Sequence, residues 1–227
     1  MTELLLKGGL SYLLGSIVGS LVIGRLKGGV DIRTLGSGNA GATNALRTWG
    51  RRIALWVFVI DVAKGWMATG LIATWAPVGA LSFGTAMGVT PAAPALREWS
   101  VTVCGLAVML GHIYPVWFGF RGGKAVATFA GTLIGIGPLL LIPFALAWLA
   151  AAVVYGFVSL ASILGAVAVA VTLGFSRWQP HTPLATYGVL AALLIVYTHR
   201  TNIQRIRDGS ESRAKRLWRF GTRRSES

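Results

Sequence analysis

Negative charge is what this 227-residue chain has least of: seven Asp and Glu stand against 21 Lys and Arg, and only 12% of residues carry charge at all. That is roughly half the charge of an ordinary soluble domain, and 54% of the residues are hydrophobic. A water-soluble globule is excluded and an integral membrane protein is indicated. Cysteine is nearly absent: the one residue, Cys104, lies in an apolar run. It allows no intramolecular disulfide and no cysteine-based metal site, and reads as a packing residue. The three histidines, His112, His181 and His199, show no metal-ligand spacing, so no metal is expected. No cofactor is expected either.

The formal net charge of +14 is concentrated in three blocks. Residues 24–52 hold Arg25, Lys27, Arg33, Arg47, Arg51 and Arg52; residues 120–127 hold Arg121 and Lys124; residues 199–227 hold most of the remainder. Between the blocks run apolar stretches. A helix needs about 20 such residues to cross the hydrocarbon core. Spans are expected near 4–24, 53–75, 101–119, 157–175 and 184–198, and the uncharged stretch 126–156, broken by Gly137-Pro138 and Pro143, is either one kinked helix or two short ones.

Basic blocks favour the cytoplasmic side. Placing all three there requires an even number of passes between residues 128 and 198, and hence two passes in 126–156. The expected fold is an all-α integral membrane protein of about seven transmembrane helices, with the N-terminus outside, the C-terminus cytoplasmic and three cytoplasmic motif loops. Residues 1–212 form one transmembrane domain and residues 213–227 a basic cytoplasmic tail. The first helix reads as a retained span: no A-x-A cleavage site follows it, and Arg25 and Lys27 lie after its apolar run. Gly8, Gly15, Ser16, Gly19 and Gly24 along it favour close helix packing.

The first block contains Gly36-Ser37-Gly38-Asn39-Ala40-Gly41, which fits G-x-G-x-x-G. A dinucleotide fingerprint needs a strand before it and a βαβ unit around it, and here the neighbours are membrane spans, so that reading is rejected. Two readings remain: a polar turn between spans, or a phosphate seat in which glycine backbone amides converge and Ser37, Thr43, Asn44 and Arg47 supply donors. The second block, Gly111-His112 to Thr128, resembles a P-loop only superficially, because Ala125 stands where Ser or Thr would hold Mg²⁺. Gly122-Gly123-Lys124 at a helix start still suits an anion. His112 is equally a satisfied buried histidine or a catalytic one.

In the third block His199 and Asn202 are spaced i, i+3, on one face of a continuing helix, and Glu211, set among arginines, is expected to pair with them. Past residue 212 the tail interleaves arginines with Leu217, Trp218 and Phe220, a composition suited to an anionic membrane surface. Nucleic acid is the poorer partner for so short a tail.

Three collinear runs resemble the loop motifs of the bacterial acyl-phosphate:glycerol-3-phosphate acyltransferases, the PlsY type: Gly36-Ser-Gly-Asn-Ala-Gly-Ala-Thr-Asn-Ala-Leu-Arg47, Gly111-His-x-x-Pro-Val-Trp…Gly122-Gly-Lys124, and His199-Arg-x-Asn-Ile-x-Arg205…Gly209-x-Glu211. Asp61-Val-Ala-Lys64-Gly65 also fits the family's pattern. The resemblance implies a seven-helix inner-membrane enzyme, its site facing the cytoplasm, that moves a fatty acyl group from acyl phosphate to the 1-hydroxyl of glycerol 3-phosphate. Lysophosphatidate and inorganic phosphate would be the products, in phospholipid synthesis.

Under that resemblance Lys124 and Arg47 hold the two phosphates, and Ser37 with the Gly36 and Gly38 amides orients the donor phosphate. His199 or a substrate phosphate oxygen accepts the hydroxyl proton, and Asn202 positions the glycerol. Substrate contacts extend to Asn39, Thr43, Asn44 and His112, to Gly122, Gly123 and Thr128, and to Arg205 and Glu211. Three departures stand out: Ala125 replaces the glycine usual after the lysine, Val18-Gly19 replaces a common Pro-Phe pair, and residues 86–99 resemble an expanded external loop. Two rivals remain at this level, an organophosphate or anion transporter and a non-catalytic scaffold with a lipid-binding tail.

Overall fold

The computed structural model describes residues 1–75, 94–175 and 183–214; side chains of residues 94–96 are excluded. His181, Arg177, most of the expanded loop and the tail from Lys215 onward lie outside the described residues. Among the described residues the secondary structure is entirely helical: α1 (Thr2–Gly15), α2 (Gly19–Leu26), α3 (Ala42–Thr48), α4 (Arg51–Trp66), α5 (Pro94–Ile113), α6 (Val126–Ile136), α7 (Leu141–Tyr155), α8 (Val158–Phe175), α9 (Pro183–Thr198) and α10 (Arg200–Arg207). α4 runs on through a π-helical turn, Met67–Ile72.

Among the described residues four segments are long and apolar enough to cross a membrane: Arg51–Ile72, Arg97–Phe118, Pro138–Tyr155 and Val158–Phe175. α1 and α2 make a fifth if taken as one span bent by 47°. The expected first span, 4–24, is therefore broken rather than continuous. Val18 leaves the helical region and the Gly19 N–H turns to the Asp61 carboxylate at 3.2 Å. The stretch 126–156 holds two helices, because Pro138 cannot continue the ladder of α6 and instead opens the short 3-10 turn before α7. α6 and α9 are shorter than a full crossing.

Small residues decide how the helices cross. A Cβ on Gly65 would overlap the Thr128 carbonyl, and one on Gly131 would overlap the Val62 carbonyl, so α4 and α6 touch backbone to backbone. Gly15 and Gly111 do the same for α1 and α5. At the centre lie Phe129, Met109, Leu133, Tyr187 and Ile195, all fully buried. Phe129 meets Phe144 edge-on at 5.8 Å and stacks with Tyr187 at 6.2 Å. The Tyr187 hydroxyl bonds that of Thr132, whose carbonyl accepts from Thr69 at 3.0 Å. A phenol inside an apolar bundle is thereby satisfied. Outward-facing Leu139, Leu146 and Leu193 remain exposed, as side chains bordering lipid do.

Candidate active site

Loop one, Gly28 to Gly41, is organised by three residues, Asp31, Arg33 and Asn44. Asp31 caps a 3-10 turn, Ile32–Thr34, by accepting the Arg33 N–H at 2.9 Å. Arg33 pairs with Asp31 at 2.7 Å and donates to the carbonyls of Phe118 at 2.8 Å and Arg121 at 2.6 Å. Loop one is thus tied to loop two. Asn44 of α3 is buried; its amide donates to Ile32 O and Leu35 O at 3.2 and 2.9 Å, and its oxygen accepts the Ser37 N–H at 2.9 Å. Both arms of this side chain are spent bracing the loop. Gly36, at φ +57°, occupies the left-handed region that the turn requires.

Loop two folds back onto the end of α5. The Gly122 N–H bonds Ile113 O at 2.9 Å and the Gly123 N–H bonds His112 O at 3.1 Å. These amides are occupied by protein carbonyls, and both glycines are needed because a Cβ on either would collide with His112. Ala125 then sits at φ +59°, ψ +13° and starts α6. Ala125 thus adopts the left-handed conformation that favours glycine, at a cost on the order of 1 kcal/mol for a residue with a Cβ.

Loop three breaks where a continuous helix was expected. His199, at φ −97°, ψ +7°, separates α9 from α10, yet His199 and Asn202 are both buried at the same site. The His199 Nδ1–H donates to Ile195 O at 2.8 Å, leaving Nε2 as the acceptor of a neutral ring. The chain returns after α10, with the Ser210 and Glu211 N–H groups on Arg205 O at 2.8 and 3.0 Å. Glu211 then accepts from Arg205 Nε at 2.9 Å, Asn202 Nδ2 at 2.6 Å and Ser159 Oγ at 2.8 Å. Lys124 of loop two donates to Asn202 Oδ1. A continuous chain runs from Ser159 through Glu211 and Asn202 to Lys124.

The three loops enclose one cavity of about 620 Å³. Its polar lining includes Gly36, Ser37, Asn39, Thr43, Asn44, Arg47, His112, Lys124, His199, Asn202, Arg205 and Glu211. Its apolar lining includes Phe58 of α4, Ala130 of α6, Phe144 and Trp148 of α7 and Val158 of α8. Gly38, Gly122, Gly123 and Thr128 stand outside the lining; Thr128 is buried against His112 Nδ1 at 3.2 Å. The cavity lining also includes Ser159, which motif reasoning passed over, and Asp61, which the motif pattern named without giving it a role at the site. Ser159 has no spacing relation to the third motif. Its only signal is a Ser-x-x-Ser pair, Ser159 and Ser162, inside an apolar helix.

The site's electrostatics divide its two principal side chains. Burial lowers Lys124 to about 8; nearby Arg205 and Arg47 add to the effect and Glu211 partly opposes it. Burial likewise lowers His199 to about 4, with Lys124 adding to the shift while the Ile195 carbonyl and Glu211 oppose it. Near neutral pH the lysine is charged and the imidazole is not. Partial burial raises the Glu211 carboxyl, but the hydrogen bonds from Asn202, Ser159 and Arg205 outweigh it, and the group lies below its ordinary value. The arrangement therefore offers cations, hydroxyl donors and a neutral imidazole together with apolar and aromatic side chains in one cavity. It suits a ligand with an anionic head and a long apolar tail.

Comparison with known proteins supplies independent information. Residues 5–209 match the family described as glycerol-3-phosphate acyltransferase. A glycerol-3-phosphate acyltransferase of Chlorobaculum tepidum is 37% identical, over 89% of this chain and 93% of its own length. One from Albidiferax ferrireducens is 39% identical, over 90% and 86%. A crystal structure of PlsY, an integral membrane glycerol 3-phosphate acyltransferase in its glycerol 3-phosphate form, superposes with a TM-score of 0.74 at 36% identity, covering 92% of this chain and 94% of that one. The lysophosphatidic acid form gives 0.73 at 34%, covering 94% and 97%.

Proposed function

The chain belongs to the glycerol-3-phosphate acyltransferase family, and from that membership we propose that it transfers a fatty acyl group from acyl phosphate to the 1-hydroxyl of glycerol 3-phosphate, releasing lysophosphatidate and inorganic phosphate. The observation that carries the reading to this chain is a cavity lined both by the cations Arg47, Lys124 and Arg205 and by the aromatic rings of Phe58, Phe144 and Trp148. Two phosphorylated substrates need the first; an acyl chain needs the second.

In the reaction the glycerol hydroxyl attacks the acyl carbonyl and the phosphate departs with the bonding electrons. Lys124 and Arg47 offset the charge gathering on the carbonyl oxygen and the leaving phosphate, while Ser37 and the loop-one backbone orient the donor. His199, neutral and with Nε2 free to accept, takes the hydroxyl proton or shares that task with the departing phosphate. Asn202, held by Glu211, positions the glycerol and keeps Lys124 directed into the cavity. Gly122 and Gly123 shape the loop by folding it against α5.

The same reading places the protein in the bacterial inner membrane with seven passes, N-terminus outside and loops facing the cytoplasm. Supporting it, α4 and α5 separate loop one from loop two, α6 to α9 separate loop two from loop three, and loops that line one cavity must be joined by even numbers of passes. The positive charge of those loops favours the cytoplasmic side.

Lys124→Ala and Arg47→Ala test the assignment. Each is expected to lower formation of lysophosphatidate from palmitoyl phosphate and glycerol 3-phosphate by roughly a hundredfold or more, the scale of a lost transition-state charge partner. Near-normal rates in purified, folded variants would sink it.

A further inference from the structure

Asp61 and Lys64 lie one turn apart on α4, 1% and 3% exposed, and the reaction outlined above uses neither. An ion pair at such depth is costly unless every hydrogen bond is made. Lys64 Nζ lies 2.9 Å from Asp61 Oδ1, from Gly15 O and from Ile17 O, and 2.8 Å from His112 Nδ1. Asp61 Oδ1 also accepts the Gly19 N–H. The two carbonyls and this N–H are groups that the break between α1 and α2 removes from the helical ladder. The pair therefore stabilises the bend. Its contact with His112 is not needed for that purpose.

Lys64 Nζ shares three hydrogens among four neighbours, and Asp61 Oδ1 lies 3.4 Å from His112 Nδ1. The ammonium contact is the shorter at 2.8 Å, and an ammonium has only hydrogens to offer, so the ring nitrogen presents its lone pair to it. The Thr128 hydroxyl, 3.2 Å from the same nitrogen, also fits as a donor to it. The proton of a neutral His112 then resides on Nε2. That atom lies at the seam between loops one and two: a Cβ on Gly123 would collide with it and would come within 2.6 Å of Ala40 O. His112 also lines the cavity.

We propose that Asp61 and Lys64 are positioning residues for acyl transfer: they lock His112 as the Nε2–H tautomer, so that a hydrogen-bond donor and not a lone pair faces the phosphate seat between loops one and two. A lone pair there would repel a phosphate oxygen; the N–H attracts it and needs no formal charge to do so. The inference rests on the acyltransferase reading for its consequence in turnover, but the tautomer itself is measurable without any substrate.

Imidazole nitrogen NMR on the full chain in lipid nanodiscs reads it directly, with only three histidines to assign and His112→Gln to identify the resonance. The wild-type ring is expected to show an unprotonated Nδ1 and a protonated Nε2. In the charge-neutral pair Asp61→Asn/Lys64→Met the single tautomer is expected to give way to a mixture. kcat/KM should then fall by at least roughly tenfold, the scale of a lost tautomer-fixing partner. Adding His112→Ala to the neutral pair should cost nothing beyond His112→Ala alone.

An Nδ1–H ring in the wild type would overturn the proposal, and that spectrum decides even where the neutral pair does not fold. Losses that multiply would overturn it as well, as would an unchanged tautomer in a neutral pair that has lost activity, since either makes the pair purely structural. Failure of the wild type to turn over palmitoyl phosphate would instead remove the acyltransferase reading and leave the tautomer result standing.

Discussion

At the residue scale the proposed chemistry needs one neutral base, His199, and one charged cation, Lys124. Burial lowers His199 to about 4 and Lys124 to about 8. Both groups lose positive charge as pH rises: below about 4 the imidazole is protonated and accepts nothing, and above about 8 the lysine no longer offsets phosphate charge. A plot of kcat/KM against pH is expected to be bell-shaped between these limits, and Lys124→Arg should remove the alkaline limb because guanidinium does not titrate there. Retention of that limb would assign it elsewhere. Ser159→Ala removes one of three donors to Glu211, worth about 1 kcal/mol, and steady-state assays should show a loss of roughly fivefold. Glu211→Ala, which frees Asn202 and Arg205 together, should cost far more.

Residue chemistry was the part most readable in the sequence. Basic side chains are concentrated in three blocks separated by apolar stretches, so their clusters mark the site, and Lys124, His199, Asn202, Arg205 and Glu211 all line the cavity. The roles of Asn44, Gly122 and Gly123 were not readable in the same way. Their hydrogen bonds run to Leu35, Ile113 and His112, partners that come within reach only through fold-back, which spacing does not encode. Ser159 was hidden for the complementary reason: a serine in an apolar helix looks like helix packing until Glu211 is brought to it.

At the element scale the loops are precise because the helices beneath them are locked. The crossing of α4 and α6 at Gly65 and Gly131 leaves no room for a side chain. Gly131→Val should therefore destabilise the folded protein by about 1–3 kcal/mol, as overpacking does. Heat denaturation of the purified protein in detergent should show a lower midpoint, and an unchanged midpoint would mean that the helices separate freely. The sequence foretold helices here and close small-residue packing along the first helix, where Gly15 meets Val108, but it did not single out Gly65 or Gly131 for such packing. It did not foretell the bend at Ser16–Val18, because the apolar run is uninterrupted and the bend's cause, Asp61 and Lys64, lies on another helix. Gly137-Pro138 did mark the division between α6 and α7, a local signal with a local effect.

At the scale of the whole molecule, one end of the bundle gathers the three loops while the apolar faces of α7 and α8 border lipid. Cysteine labelling tests the topology, with Cys104→Ala as background, since that is the chain's one cysteine. An impermeant maleimide should label Glu3→Cys from outside the cell, and Lys27→Cys and Arg207→Cys only from the cytoplasmic face. Labelling of Lys27 and Arg207 from opposite sides would break the even-pass rule on which the shared cavity depends.

The catalytic account rests on a membrane-embedded site that takes an activated acyl group together with its phosphate. The most direct measurement is therefore the stoichiometry of inorganic phosphate and lysophosphatidate formed by the purified wild-type protein from palmitoyl phosphate and glycerol 3-phosphate, beside the same assay with palmitoyl-CoA. One phosphate per lysophosphatidate, dependent on glycerol 3-phosphate and absent with the thioester, is the predicted result. Lysophosphatidate formed from palmitoyl-CoA at a comparable rate, or no product from palmitoyl phosphate in folded protein, would contradict it.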